Sequence, residues 1–155
     1  VSLDDLSEWT QPRGTTRLYD ALYDAALKME SLVGDTIFIA MTDGQDTCSE
    51  VSADTVRTAL EKLKAEKSLV CIFMAANIGD ARIVGPSMGF NEDTSIEFTP
   101  TASPMAFRAA TQSSLRAVTG GRAAFTGMER QSSLAAPVGA RSAMGPRSIR
   151  RSTAL

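Results

Sequence analysis

The segment Thr42-Asp43-Gly44-Gln45-Asp46-Thr47-Cys48-Ser49 follows directly on an apolar run, Thr36 to Met41, and gathers two carboxylates and three hydroxyls. Upstream, Gly14-Thr15-Thr16 places two more hydroxyls just before an amphipathic stretch. Oxygen donors without imidazole or paired thiolates suit a hard cation, Mg²⁺, Mn²⁺ or Ca²⁺, and a site with few carboxylates suits Mg²⁺ with waters and an outside ligand. The same residue types also suit a plain strand-ending turn. In that arrangement Asp46 and Thr47 close the loop through side-chain to backbone bonds, and Thr15 and Thr16 only cap a helix.

Positioning such groups requires a strand that ends at them and helices that return the chain. Thr36 to Met41 is short, continuous and partly β-branched, as expected of a strand covered on both faces. Before it, Leu18, Ala21, Leu22, Ala25, Met29 and Leu32 recur at three- and four-residue steps, which predicts a helix capped by Thr15 or Thr16 and ended by Gly34. After it, Ser52 or Asp54 caps a second predicted helix with Val56, Leu60 and Leu63 inward. Ser68 to Ala76 is a second buried strand. A short helix from about Asp80, broken near Gly85-Pro86, leads to a weaker strand at Thr94 to Phe98. The last predicted helix runs from Pro104 to Val118, capped by Thr101 or Ser103, with Met105, Ala109, Leu115 and Val118 inward. Met29, Met41, Met74 and Met88 are expected as interior gap-fillers. Helices alternating with continuous apolar strands imply an α/β fold: an open, mostly parallel sheet flanked by helices. Ligands of such sheets bind beyond the carboxyl ends of the strands, which is where Asp43 leaves its strand.

Composition divides the chain. Residues 1 to 100 carry 8 basic and 17 acidic side chains, whereas residues 101 to 155 carry 8 basic, all arginine, and 1 acidic. The expected organisation is a domain over 1–125 and an Arg/Ser/Ala-rich disordered tail over 126–155, with Glu129-Arg130 a solvated pair. The tail has no aromatics between its arginines, which favours a solvated linker over a nucleic-acid contact. Two cysteines without CxxC spacing and no histidine exclude the usual zinc sites and histidine-dependent triads in this sequence. Without an apolar run of membrane length or a signal-peptide pattern, the expectation is a cytoplasmic, intracellular protein with no membrane partner.

Two segments carry a family resemblance. "GTTRLYDAL" and "IFIAMTDGQDT" resemble the second and third metal-site segments of the von Willebrand factor A domain. "SLVCIFMAANIGDARIVGPSMGF" and "SPMAFRAATQSSLRAV" resemble the following strand, short helix and closing helix of its bacterial and viral branch. The likeness covers about residues 10 to 120. It implies a Rossmann-like von Willebrand A fold in which Thr16 and Asp43 coordinate a divalent cation, with Gly14 and Thr15 as loop neighbours. The family's first segment, Asp-x-Ser-x-Ser, has no counterpart, which implies a domain incomplete at its N-terminus and a cation held weakly, or not at all if the chain is whole.

The function that follows from the resemblance is a protein-binding module, not an enzyme: a metal-ion-dependent adhesion site to which a partner donates an Asp or Glu. The alternative is a Mg²⁺-dependent phosphoryl-transfer or hydrolytic enzyme on the same sheet. It lacks a GxxxxGK loop, GxGxxG, Asp-x-Asp-x-Thr and a GxSxG elbow.

Overall fold

The computed structural model describes residues 15–135. It is α/β, as expected, with three parallel strands in the order β1-β2-β3: β1 Thr36–Thr42, β2 Leu69–Ala75 and β3 Ser95–Glu97. Strands β1 and β2 pair over their full length, from Thr36 opposite Leu69 to Thr42 opposite Ala75; β3 pairs only with Phe73 to Ala75. Among the described residues the α-helices are α1 (Leu18–Glu30), α2 (Ala53–Glu66), α3 (Ala81–Ser87), α4 (Ser103–Val118) and α5 (Gly127–Leu134), with short 3-10 turns at Glu92–Thr94 and Pro100–Ala102. None of the described helices is long and apolar enough to cross a membrane.

Alternation along the strands sorts the interior into two layers. Phe38, Ala40, Cys71, Phe73 and Ala75 face α1 and α2, whose Leu18, Leu22, Ala26, Met29, Val56, Leu60 and Leu63 form one core. Ile72, Met74 and Ile96 face the other way, onto Ala106, Ala109 and Ala110 of α4 and onto Phe125. Each large side chain fully withdrawn from water, such as Phe73 or Leu60, stabilises by about 1.5–3 kcal/mol.

The inner face of α4 differs from expectation. Ala109 is inside, but Met105, Leu115 and Val118 are exposed, and Ala106, Ala110 and Ser113 take their place. Small residues let the helix lie close on β2, so the larger side chains are left on the outer sides. Neither Thr101 nor Ser103 caps this helix; Ala102 stands at the cap without a side-chain bond. Met41 is likewise not interior. It is half exposed, while Met29, Met74 and Met88 are buried.

Helix α5 lies inside the stretch expected as tail. Thr126 and Glu129 form a reciprocal capping box at its start. Glu129 also receives both arms of the Arg116 guanidinium, at 3.1 and 3.0 Å. Arg130 donates to the carbonyls of Ser95, Glu92 and Asp93 and lies over the Phe125 ring. The two residues read as a solvated pair are thus what fastens α5 to α4 and β3. Residues 136–155 of the expected tail lie outside the described residues, as does Gly14.

Candidate functional site

The carboxyl end of β1 meets the start of α1, and the polar residues of both segments divide into two groups. One group is spent on holding the loops. The Thr42 hydroxyl donates to Gly44 O at 2.8 Å and accepts from Gly44 N–H, closing the turn after the strand. Thr47 clasps the approaching chain: its N–H donates to Thr16 O at 2.9 Å, and its Oγ1 accepts from Thr16 N–H at 2.8 Å.

Helix α1 is capped from this loop rather than by its own threonines. Arg17 stands at the N-cap and its side chain makes no capping bond, in place of the cap expected from Thr15 or Thr16. The Asp46 carboxylate accepts from Tyr19 N–H at 3.3 Å, and the Ser49 hydroxyl accepts from Asp20 N–H at 3.1 Å. Ser49 in turn donates both its N–H and its hydroxyl to Asp46. In the reverse direction, Asp20 accepts from the N–H groups of Glu50 and Val51 at 2.9 and 3.0 Å. These reciprocal bonds fix the helix start to the loop and satisfy donors that a helix N-terminus leaves open.

The electrostatics agree with that role. Burial raises the Asp46 carboxyl, but the Ser49 hydroxyl and the N–H groups of Tyr19, Ser49 and Leu18 outweigh it, leaving the pKa below the usual aspartate value. Asp20 is also held low, first by the Val51 N–H and then, against the cost of burial, by Arg17 and Glu50 N–H. Its backbone donors, Glu50 and Val51, lie about thirty residues away, and no local spacing announces them.

The second group is small. Among the described residues the hydroxyls of Thr15 and Thr16 and the Asp43 carboxylate take no hydrogen-bond partner, whereas Thr42, Asp46, Thr47 and Ser49 all do. Thr16 Oγ1 lies over Gly44, 3.9 Å from the point a Cβ there would occupy. Asp43 is exposed, and its carbonyl accepts from the Asn77 side chain at 3.4 Å across the ends of β1 and β2. Asn77 has φ 57°, a left-handed conformation that asparagine adopts more readily than most residues.

No family model, curated protein or solved structure matches the chain. The site is therefore judged on its own donors. Among the described residues no cluster of three or more His, Cys, Asp or Glu forms a metal cage. By donor type, Asp43 and Thr16 would supply at most two of the six oxygens that Mg²⁺ requires, the rest falling to water and an outside carboxylate. A groove of about 470 Å³ opens beside α1, lined by Arg17, Asp20, Tyr23, Asp24 and Glu50 among others, but neither Thr16 nor Asp43 lines it.

Proposed function

We propose that the chain is a protein-binding module of von Willebrand A type, which presents a weakly held divalent cation, or the remnant of such a site, to an acidic residue of a partner. The observation that supports this reading is the division of the corner. Among the described residues Thr42, Asp46, Thr47 and Ser49 are consumed in holding the loops, while Thr16 and Asp43, the two that the resemblance assigns to the metal, keep oxygens without a partner, as does the exposed Thr15. Two oxygen ligands on a pinned corner bind Mg²⁺ or Mn²⁺ only weakly, with Kd on the order of millimolar. A partner's Asp or Glu then adds both a ligand and a charge, so cation and partner bind cooperatively.

Mn²⁺ titration of the full chain, followed by the electron spin resonance of the free ion, tests this directly. Weak binding that tightens with an Asp-containing peptide and disappears in Asp43→Ala is the expected result. Identical titrations for the wild type and Asp43→Ala would refute it.

A further inference from the structure

The two edges of the sheet are not alike. Thr36 N–H donates to Ser68 O and Thr42 O accepts from Ala76 N–H, both at 2.9 Å, so these residues direct their backbone groups at β2. By the two-residue alternation of a strand, Phe38 and Ala40 do the same, while Ile37, Ile39 and Met41 direct theirs to the outer edge. No described strand pairs there. The side chains of these three are also exposed, at 37, 45 and 52%. Their register partners are Val70, Ile72 and Met74, so they lie on the sheet face whose core involves α4 but no residue of β1. The strand holds no charge, proline or glycine, the usual protections of an open edge.

The opposite edge is closed. Strand β3 is three residues long, and the Ser133 hydroxyl takes Glu97 O at 2.6 Å while Arg130 takes Ser95 O. Among the described strands only β1 offers an open edge.

The sequence of β1 says what fits. Read against itself in the antiparallel sense about Ile39, it places Ile39 opposite Ile39, Ile37 opposite Met41, the large Phe38 opposite the small Ala40, and Thr36 opposite Thr42. Ile37, Ile39 and Met41 then all occupy hydrogen-bonded pairs, so each outward N–H meets an outward C=O. Moving the axis to Phe38 or Ala40 keeps that pattern but sets Asp35 opposite Met41 or Asp43 opposite Ile37, whereas the Ile39 axis sets the exposed Asp35 and Asp43 of the two copies opposite each other just beyond the strand ends, a like-charge pairing that salt or acid relieves. We infer that the chain forms a two-fold dimer by antiparallel pairing of β1 with β1 of a second copy, centred on Ile39. Because the β3 edges are closed, the assembly stops at two copies. The inference is independent of the cation reading; it places the two Asp43 corners at opposite ends of the joined sheet.

Sedimentation equilibrium of the full chain tests it, together with disulfide trapping in a Cys48→Ser background. The wild type is expected to dimerise, and Ile39→Lys, which sets two ammonium groups face to face at the axis, to weaken association at least about tenfold. Because Ile39 is exposed in the single chain, that variant is expected to keep its circular dichroism. Ile39→Cys is expected to oxidise to a covalent dimer, the residue being opposite itself. Ile37→Cys is expected to do so only when paired with Met41→Cys. A wild type that stays monomeric to its solubility limit, an Ile39→Lys variant that still dimerises, or Ile37→Cys alone crosslinking as fast as Ile39→Cys would each overturn the inference.

Discussion

Removing the Asp46 carboxylate separates the structural acid of the corner from the exposed one. Asp46→Ala deprives the Tyr19 N–H, the Ser49 N–H and the Ser49 hydroxyl of their acceptor. Loss of a helix cap costs about 0.5–2 kcal/mol, and a half-buried donor left without a partner adds about 1 kcal/mol more. The expected loss is about 2 kcal/mol at neutral pH, read as a lower urea midpoint with unchanged slope. Asp46→Asn keeps a carbonyl acceptor and is expected to lose roughly half as much, since asparagine caps helices well. Asp43→Ala, which breaks no side-chain bond among the described residues, is expected to stay within about 0.5 kcal/mol of the wild type. The pH dependence has a definite sign. The folded pKa of Asp46 lies below its unfolded value of about 3.9. Its contribution is therefore complete above that unfolded value and is lost as pH falls through the folded pKa. The gap between wild type and Asp46→Ala should thus close on acidification. A neutral-pH gap under about 0.3 kcal/mol, or one that widens in acid, would refute the capping argument.

Other expectations follow from the packing. Arg130→Met takes the guanidinium donor from Ser95 O and one of two donors from Glu92 O and Asp93 O, which keep Ser95 N–H and Phe125 N–H, and it loosens α5, so a loss of about 1–2 kcal/mol in thermal unfolding is expected. Gly85→Ala, normally favourable in a helix, drives a methyl group into the Ser95 hydroxyl and to 3.2 Å from the Phe73 ring; a loss of about 1–3 kcal/mol is expected, partly relieved by Ser95→Ala. Burial raises the Cys71 thiol to about 11 against a small opposing effect of Lys64, whereas Cys48 is exposed. A disulfide reagent at neutral pH should therefore modify one thiol quickly and the second only on unfolding.

The architecture was legible wherever one period dominated. The continuous apolar runs at Thr36–Met41 and Leu69–Ala75 became neighbouring parallel strands, and Val56, Leu60 and Leu63 became a buried helix face. Reading failed where small residues did the packing. In α4 the bulky Met105, Leu115 and Val118 drew the eye, yet close approach to the sheet selected Ala106, Ala110 and Ser113. Helix α5 was hidden by composition. Its polar run looks like the arginine-rich stretch beyond it, and only the Thr126–Glu129 spacing marked a helix start. At the corner, oxygen content was plain from the sequence, but which oxygens were spent was not. That depends on Asp46 and Ser49 meeting Tyr19 and Asp20 across about thirty residues of chain.

Helix α1 is closed at its other end as well. The Lys67 ammonium donates to the carbonyls of Met29, Glu30 and Leu32 at 2.9, 2.8 and 3.1 Å, so both termini of the helix are completed by residues from elsewhere in the chain. A helix that caps itself can fray and re-form one turn at a time. This one cannot open at either end without breaking tertiary bonds, so its terminal amides should exchange with solvent together with its centre. Disturbance at the Asp43 corner would then be registered near Lys67, some twenty ångströms along the helix, as a change in protection rather than in shape.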